Sequence, residues 1–369
     1  TPTALSNLPP GFDSATLVAV PAGFAPTLDG TVDAVWSLSL PIEWADATED
    51  FAKAAWLLTD NSTPEGNWSR QPWGEDAMSL VLDDGQGIEQ NFSQIGCGAL
   101  CHTGAVQEMR TDSAGTVDVW HWSSALTLPF GYADDLFIDN QSKATGSLWG
   151  GFHGDGPDPA ADNLVTTAFG DRPAFLNGTV PLSQSARYVA DGDKSPVNWT
   201  TFNSSSLANG TRVPGYVLSA PSTARGDVRA GAAYTGSRWR LELARPLVTA
   251  DNASRDIAFD DLNATYFWSL SLNNNQTGDN ASRAGILYKM IFAENSLSDL
   301  TPESVVKASP FTVIGNPVDL MVRVQNRGFG GTTGPVFAAI RDEANATEVA
   351  NISLPTIASA DLFLANFSF

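Results

Sequence analysis

The sequence predicts a mostly β protein: an antiparallel β-sandwich with long loops and a C-terminal β extension. Three observations carry that expectation. Short apolar-rich runs, partly alternating, recur between turn-rich loops. The 32 Gly and 22 Pro residues punctuate the chain, and long helical periodicities are scarce. At 43% apolar residues, a chain of 369 residues holds enough hydrophobic surface for a sizeable core.

Residues 1–23 are apolar and Pro-containing without helical period, and read as an extended arm that can add a strand to its own sheet or to a neighbour's. Residues 24–295 read as one sandwich domain and 296–369 as the C-terminal β extension. The sandwich opens with Leu28, Asp29, Gly30, Asp33 and Trp36; Asp29-Gly30 makes a turn and Trp36 is a core anchor. Residues 53–59 and 76–82 read as strands separated by a polar loop. Residues 123–127 are expected to form a short helix, and 164–224 a surface insertion over the sandwich. Residues 226–247 read as a hairpin turning at 235–238, in which Arg238, Arg240 and Glu242 alternate with Trp239, Leu241 and Leu243. Residues 256–261, 266–272 and 286–292 are expected to complete the sheet. The extension carries strand-like runs at 318–324, 336–340 and 362–369, the last apolar enough to close the sandwich or pair with another subunit's edge.

Residues 95–122 hold both cysteines and two of the three histidines. Cys97, Cys101 and His102 form C-x-x-x-C-H, one residue longer than the C-x-x-C-H of c-type haem attachment. Two thiols can form thioethers with the haem vinyl groups, and the adjacent imidazole can reach the iron. Gly96 and Gly98 remove side chains where backbone must pass a flat macrocycle. Two other readings stand beside this one. The cysteines can close a small disulfide loop, or with His102 supply three ligands of a zinc site for which no convincing fourth ligand is present.

The segments that follow carry a resemblance. Cys97, Cys101 and His102, then Met109 and Thr111, then Asp118, Trp120, His121 and Trp122, then Gly131 to Asp135 occur in the order seen in the haem-binding domain family related to the ethylbenzene dehydrogenase gamma subunit. Ser123 stands where that family often has Lys. Trp239, Glu242, Arg245 and Leu247 resemble the family's late strand, and the Leu28–Trp36 element resembles the opening of carbohydrate-binding-module-family-9-like sandwiches. The resemblance implies one covalently bound haem c with His102 as proximal ligand. His121 is the preferred distal ligand, flanked by Trp120 and Trp122 in dry surroundings that would raise the potential. Met109 is its main rival. His153 is a further alternative, as are Lys289 and Met290, because related b-type subunits use Met and Lys as the axial pair. Strand alternation lets at most one of Lys289 and Met290 face the haem. Arg245 reads either as a partner for a haem propionate or as a structural ion pair.

The net charge of −21 argues against nucleic-acid binding, since phosphate contacts need a basic face. No uninterrupted apolar run is long enough to span a bilayer. Asn-x-Ser/Thr sequons are dense: Asn61, Asn67, Asn91, Asn140, Asn177, Asn198, Asn203, Asn209, Asn252, Asn263, Asn275, Asn280, Asn345, Asn351 and Asn366. Together with covalent haem they point to an exported glycoprotein at the cell exterior, its signal peptide removed. The expectation is an extracellular mono-haem c-type cytochrome acting in electron transfer, not an enzyme. Its partner would be a redox protein or an extracellular electron acceptor, with homopolymeric assembly into a filament through terminal strands. The alternatives are a non-redox glycan-binding or cell-envelope sandwich with a Cys97–Cys101 disulfide, and the electron-transfer subunit of a larger molybdenum oxidoreductase.

Overall fold

The computed structural model describes residues 16–19, 27–31, 42–83, 92, 100, 108–111, 115–142, 150–177, 188–249, 255–262, 264–276, 281–282, 288–292, 300–307, 319–326, 336–342, 347–357 and 362–368. The fold is mostly β, and its strand pairs are antiparallel except for Val189–Ala190, which runs parallel to Tyr216–Leu218. Two compact units divide the chain: Pro26–Asp261 and Thr265–Met290 supply most of the first, and Ile291–Phe369 most of the second.

The first unit is organised by one large sheet. Its strands lie in the order Thr16–Ala19, Tyr288–Phe292, Thr265–Gln276, Glu75–Asp83, Val117–Ser123, Asp134–Ile138 and Phe152–Gly154, with Ala281–Ser282 beside Thr265–Gln276. The central Glu75–Asp83 and Val117–Ser123 strands are buried along nearly their whole length, so alternation of polarity is weak there. Register is firm: Ser79 lies opposite His121, Leu80 opposite Trp120 and Leu82 opposite Asp118. A three-stranded sheet, ordered Arg229–Tyr234, Arg238–Ala244 and Ile42–Ala45, covers one face of this layer. Indole rings hold the two sheets together. Trp122 meets Trp239 edge-on at 4.9 Å and Trp44 at 5.9 Å. Trp239 Nε1 donates to Asp76 Oδ2 at 2.9 Å.

The expected hairpin turns through Gly236 and Ser237, both at φ 59°. Two successive positive φ angles are the type I′ geometry that matches strand twist. The Asp29-Gly30 turn is pinned from this hairpin: the Asp29 and Gly30 N–H groups donate to Glu242 Oε2 at 3.0 and 2.9 Å. Gly30 sits at φ 76°, and a Cβ there would lie 2.3 Å from Ala233 N, so the position needs glycine. Trp36 lies outside the described residues.

Two expectations need correction. Residues 124–127 form a turn, and the only helical piece nearby is the 3₁₀ segment Leu128–Phe130. Residues 256–261 are not a strand. Their backbone is held by side chains instead: Ile257 N–H donates to Asp118 and the Ile257 carbonyl accepts from Arg245. Residues 164–224, the expected surface insertion, carry short paired strands. Tyr216–Leu218 pairs with Ala160–Asp162 and Val189–Ala190, and Arg212–Val213 pairs with Trp56–Asp60. Fully buried Asn163 stitches this region, donating to the Phe175 and Pro214 carbonyls while its own backbone carbonyl accepts from Trp56 Nε1. Strands this short leave no period to read.

In the second unit, Leu300–Lys307, Asp319–Asn326 and Leu362–Ser368 make a three-stranded sheet, and Val336–Asp342 pairs with Thr347–Leu354. Val322, Val324, Leu354, Ile357 and Ala365 form its core. Among the described residues no helix is long and apolar enough to cross a membrane.

Because Trp122 is fully buried between the two sheets of the first unit, Trp122→Ala is expected to cost about 3–5 kcal/mol. Urea unfolding measures this, and a loss below about 1 kcal/mol would contradict the inter-sheet packing.

Candidate functional site

Alternation along Val117–Ser123 sends Val117, Val119, His121 and Ser123 to one face of the large sheet, and Asp118, Trp120 and Trp122 to the other. The His121 face carries an apolar cluster of Val81, Val117, Val119, Leu136 and Ile138. Phe92 and Leu100, both fully buried, belong to the same cluster, and Met109 packs against it. Cys97, Cys101 and His102 lie outside the described residues. Leu100, the residue before Cys101 in the sequence, packs on the face that bears His121.

Within that face His121 is held by its cross-strand neighbour: Nδ1 lies 2.7 Å from Ser79 Oγ. Burial holds the imidazole below its ordinary value; Glu75 and Asp134 pull partly against this, and Lys53 adds to it. The ring is therefore neutral at pH 7. If Nδ1–H donates to Ser79, the Nε2 lone pair is free to bind a metal, the arrangement of a ligating histidine oriented by a hydrogen bond.

Trp120, Trp122 and Arg245 belong to the opposite face. The two indoles do not flank the His121 ring: Trp122 packs among Trp44 and Trp239, and Trp120 meets Phe259 at 6.5 Å. Residues adjacent in a strand cannot share a face, which is the physical reason. Arg245 is engaged as a structural ion pair. Its Nη1 lies 2.6 Å from Asp118 Oδ2, both side chains are 1% exposed, and the guanidinium lies over Trp120 at 5.2 Å. Burial opposes its charge, but Asp118 and Asp135 outweigh this and raise its pKa. Burial pushes the Asp118 carboxyl up to about 6, against the pull of Arg245 and the Ile257 N–H.

The other candidates are distributed. Met109 bridges to Gly150 and is half-buried. His153 pairs with Phe137, on the Arg245 face; its ring lies 5.3 Å from Phe137 and its Nε2 3.4 Å from Asp139 Oδ1. Tyr288 stacks on Trp268 at 4.3 Å, which puts Met290 on the Trp268 face and Lys289, exposed, on the His121 face. Among sequon asparagines, Asn67, Asn140, Asn198, Asn203, Asn209, Asn275, Asn351 and Asn366 are exposed and Asn61 is half-buried, while Asn177 lies in the strand Phe175–Asn177. Asn91, Asn252, Asn263, Asn280 and Asn345 lie outside the described residues.

Sequence reasoning missed Ser79 as the partner of His121, because only strand register brings them together. It also gave no role to Asp227 or Asp256, which reach Asp135 only through the fold. Arg245→Ala would leave Asp118 buried without its partner, and is expected to cost about 3–5 kcal/mol. Chemical denaturation tests this; a change within about 0.5 kcal/mol would mean the pair carries no weight.

Comparison with known proteins returns a family model described as ethylbenzene dehydrogenase, matching residues 31–282. No curated protein and no solved structure matches the chain. The matched span runs from the covering-sheet strand Ile42–Ala45 to the large-sheet strand Thr265–Gln276, and includes the cysteine motif, His121, the Gly131–Asp135 run and Arg245. The chain belongs to the ethylbenzene dehydrogenase family that this model describes.

Proposed function

We propose that this protein is an extracellular mono-haem c-type cytochrome acting in electron transfer. One observation carries the reading: the neutral His121 imidazole, oriented by Ser79, stands on the sheet face to which Leu100, the neighbour of Cys101, is anchored. Family membership and the Cys97-x-x-x-Cys101-His102 spacing support it from the sequence side. A bound haem would supply one-electron chemistry at its iron.

The chain's own residues have definite tasks in this reading. Cys97 and Cys101 are the thioether anchors, His102 the proximal ligand and His121 the distal ligand. Ser79 fixes the tautomer and plane of His121. Val81, Val119, Leu136 and Met109 keep water from the ring and favour the reduced state. Met109 packs on the same apolar cluster, which keeps it the rival for the distal position. With His102 and His121 both holding the iron, the haem would serve electron transfer, so the reading is a carrier rather than an enzyme.

The exposed sequons support an exported glycoprotein. Leu362–Ser368 is an outer strand of the second unit's three-stranded sheet, which supports self-assembly by edge pairing. A redox protein or an extracellular acceptor remains the expected partner. The family match also favours a second reading, the electron-transfer subunit of a larger molybdenum oxidoreductase, which predicts copurification with a large catalytic chain.

The test is optical. Purified native protein, extracted with acid-acetone and reduced with dithionite, is expected to keep sharp α and β bands. Absence of any haem band, from a source competent for haem attachment, would sink the redox reading and leave a glycan-binding sandwich with a Cys97–Cys101 disulfide.

A further inference from the structure

Three carboxylates from separate parts of the first unit meet on the sheet face away from His121. Asp135 comes from Asp134–Ile138 in the large sheet, Asp227 precedes Arg229–Tyr234 in the covering sheet, and Asp256 comes from the irregular segment at 255–262. One oxygen of each lies within 4.8 Å of the others. Asp135 is 1% exposed and Asp256 8%. Asp256 Oδ2 accepts from Thr249 Oγ1 at 2.5 Å. Asp135 Oδ2 and both oxygens of Asp227 are shut off from solvent with no hydrogen-bond donor, and so is Asp118 Oδ1 beside them.

Buried carboxylate oxygens without donors are rare, because each carries the full cost of desolvation. Local positive charge does not meet that cost. Arg245 is the cation at hand, and it is committed to Asp118 at 2.6 Å and to the Ile257 carbonyl, leaving Asp135 Oδ2 at 4.0 Å. Asp118, Asp135 and Asp256 thus share one guanidinium, and Asp227 adds a fourth carboxylate beside Asp135 and Asp256. Burial, the Asp118 charge, a hydrogen bond that a proton on Asp135 would make to Asp227, and the Asp256 charge push the Asp135 carboxyl up to about 11. An uncompensated cluster would have to take up protons to persist.

We infer that Asp135, Asp227 and Asp256 bind a hard divalent cation of the calcium class. The donor set is all oxygen and anionic, the chemistry that selects calcium over thiolate- or imidazole-seeking metals. Two oxygens each about 2.4 Å from one calcium ion lie at most about 4.8 Å apart, the span these carboxylates occupy. The cation would tie the large sheet, the covering sheet and the 255–262 segment together, and would relieve the donorless oxygens of Asp135 and Asp227. A second acidic group, Asp46, Asp50 and Asp76, is better supplied with donors. There Asp76 accepts from Asp50 N, Asn275 N and Trp239 Nε1, and one oxygen, Asp46 Oδ2, is left without a donor against three at Asp135 and Asp227.

The test uses the full chain after treatment with EGTA. Titration with calcium chloride by isothermal calorimetry is expected to show one ion bound per chain, and calcium well above its dissociation constant to raise the first unit's midpoint of unfolding by about 5 °C. Asp227→Asn is expected to weaken binding at least tenfold, while Asp50→Asn keeps it. Buffers of different ionisation enthalpy are expected to report a proton released on binding, a readout on the wild-type protein that does not depend on either variant folding. No heat and no midpoint shift up to about 10 mM calcium, beyond the range of weak extracellular sites, would overturn the inference in favour of a shared proton. Full binding by a folded Asp227→Asn protein would overturn it as well.

Discussion

Alternation along Val117–Ser123 is the constraint on which the rest of the first unit depends. In one strand it puts His121 on one side of the sheet, and Asp118, Trp120 and Trp122 on the other. The first side meets Leu100 and Met109; the second meets the covering sheet. A one-residue slip against Glu75–Asp83 would exchange the two sets and lose both the Ser79–His121 contact and the indole layer. Register is therefore what makes a polar imidazole and a tryptophan core compatible in adjacent positions.

Both faces bury charge by pairing it. On the His121 side, Asp134 pairs with Arg225 and Glu75 with Lys53, while burial holds the imidazole below its ordinary value and Ser79 bonds to it. On the far side Asp118 and Arg245 are both shut from solvent and pair with one another, while Arg245 also braces the Ile257 carbonyl. Such a pair contributes little net stability but costs much when one partner is removed. It fixes where the irregular 255–262 segment lies without a strand to hold it. The acidic surplus around Asp135 is the part of this face that pairing within the chain does not resolve.

Much of this was readable from residues, and the failures have physical causes. The hairpin around Gly236 and Ser237 and the Glu75–Asp83 strand were visible because apolar and polar residues, or an apolar run, mark them. The DIAFDD segment at 256–261 looked like a strand because its apolar residues are buried, yet its backbone bonds to Asp118 and Arg245. The Trp120–His121–Trp122 run invited a picture of an imidazole between two indoles; alternation forbids it, as it does for Lys289 and Met290. The region 164–224 was opaque because its order rests on single buried polar side chains, above all Asn163, which have no period. Ser79, Asp227 and Asp256 are ordinary in sequence and acquire meaning only from register and sheet packing.

The central claim is that the His121 face holds an iron ligated by that imidazole. The most direct measurement is the low-temperature electron paramagnetic resonance spectrum of the oxidised protein, wild type beside His121→Ala, with circular dichroism to verify the fold. The account predicts a low-spin signal with two nitrogen ligands in the wild type, and its loss or replacement in a folded variant. An unchanged low-spin signal in folded His121→Ala would contradict it and pass the distal position to another residue.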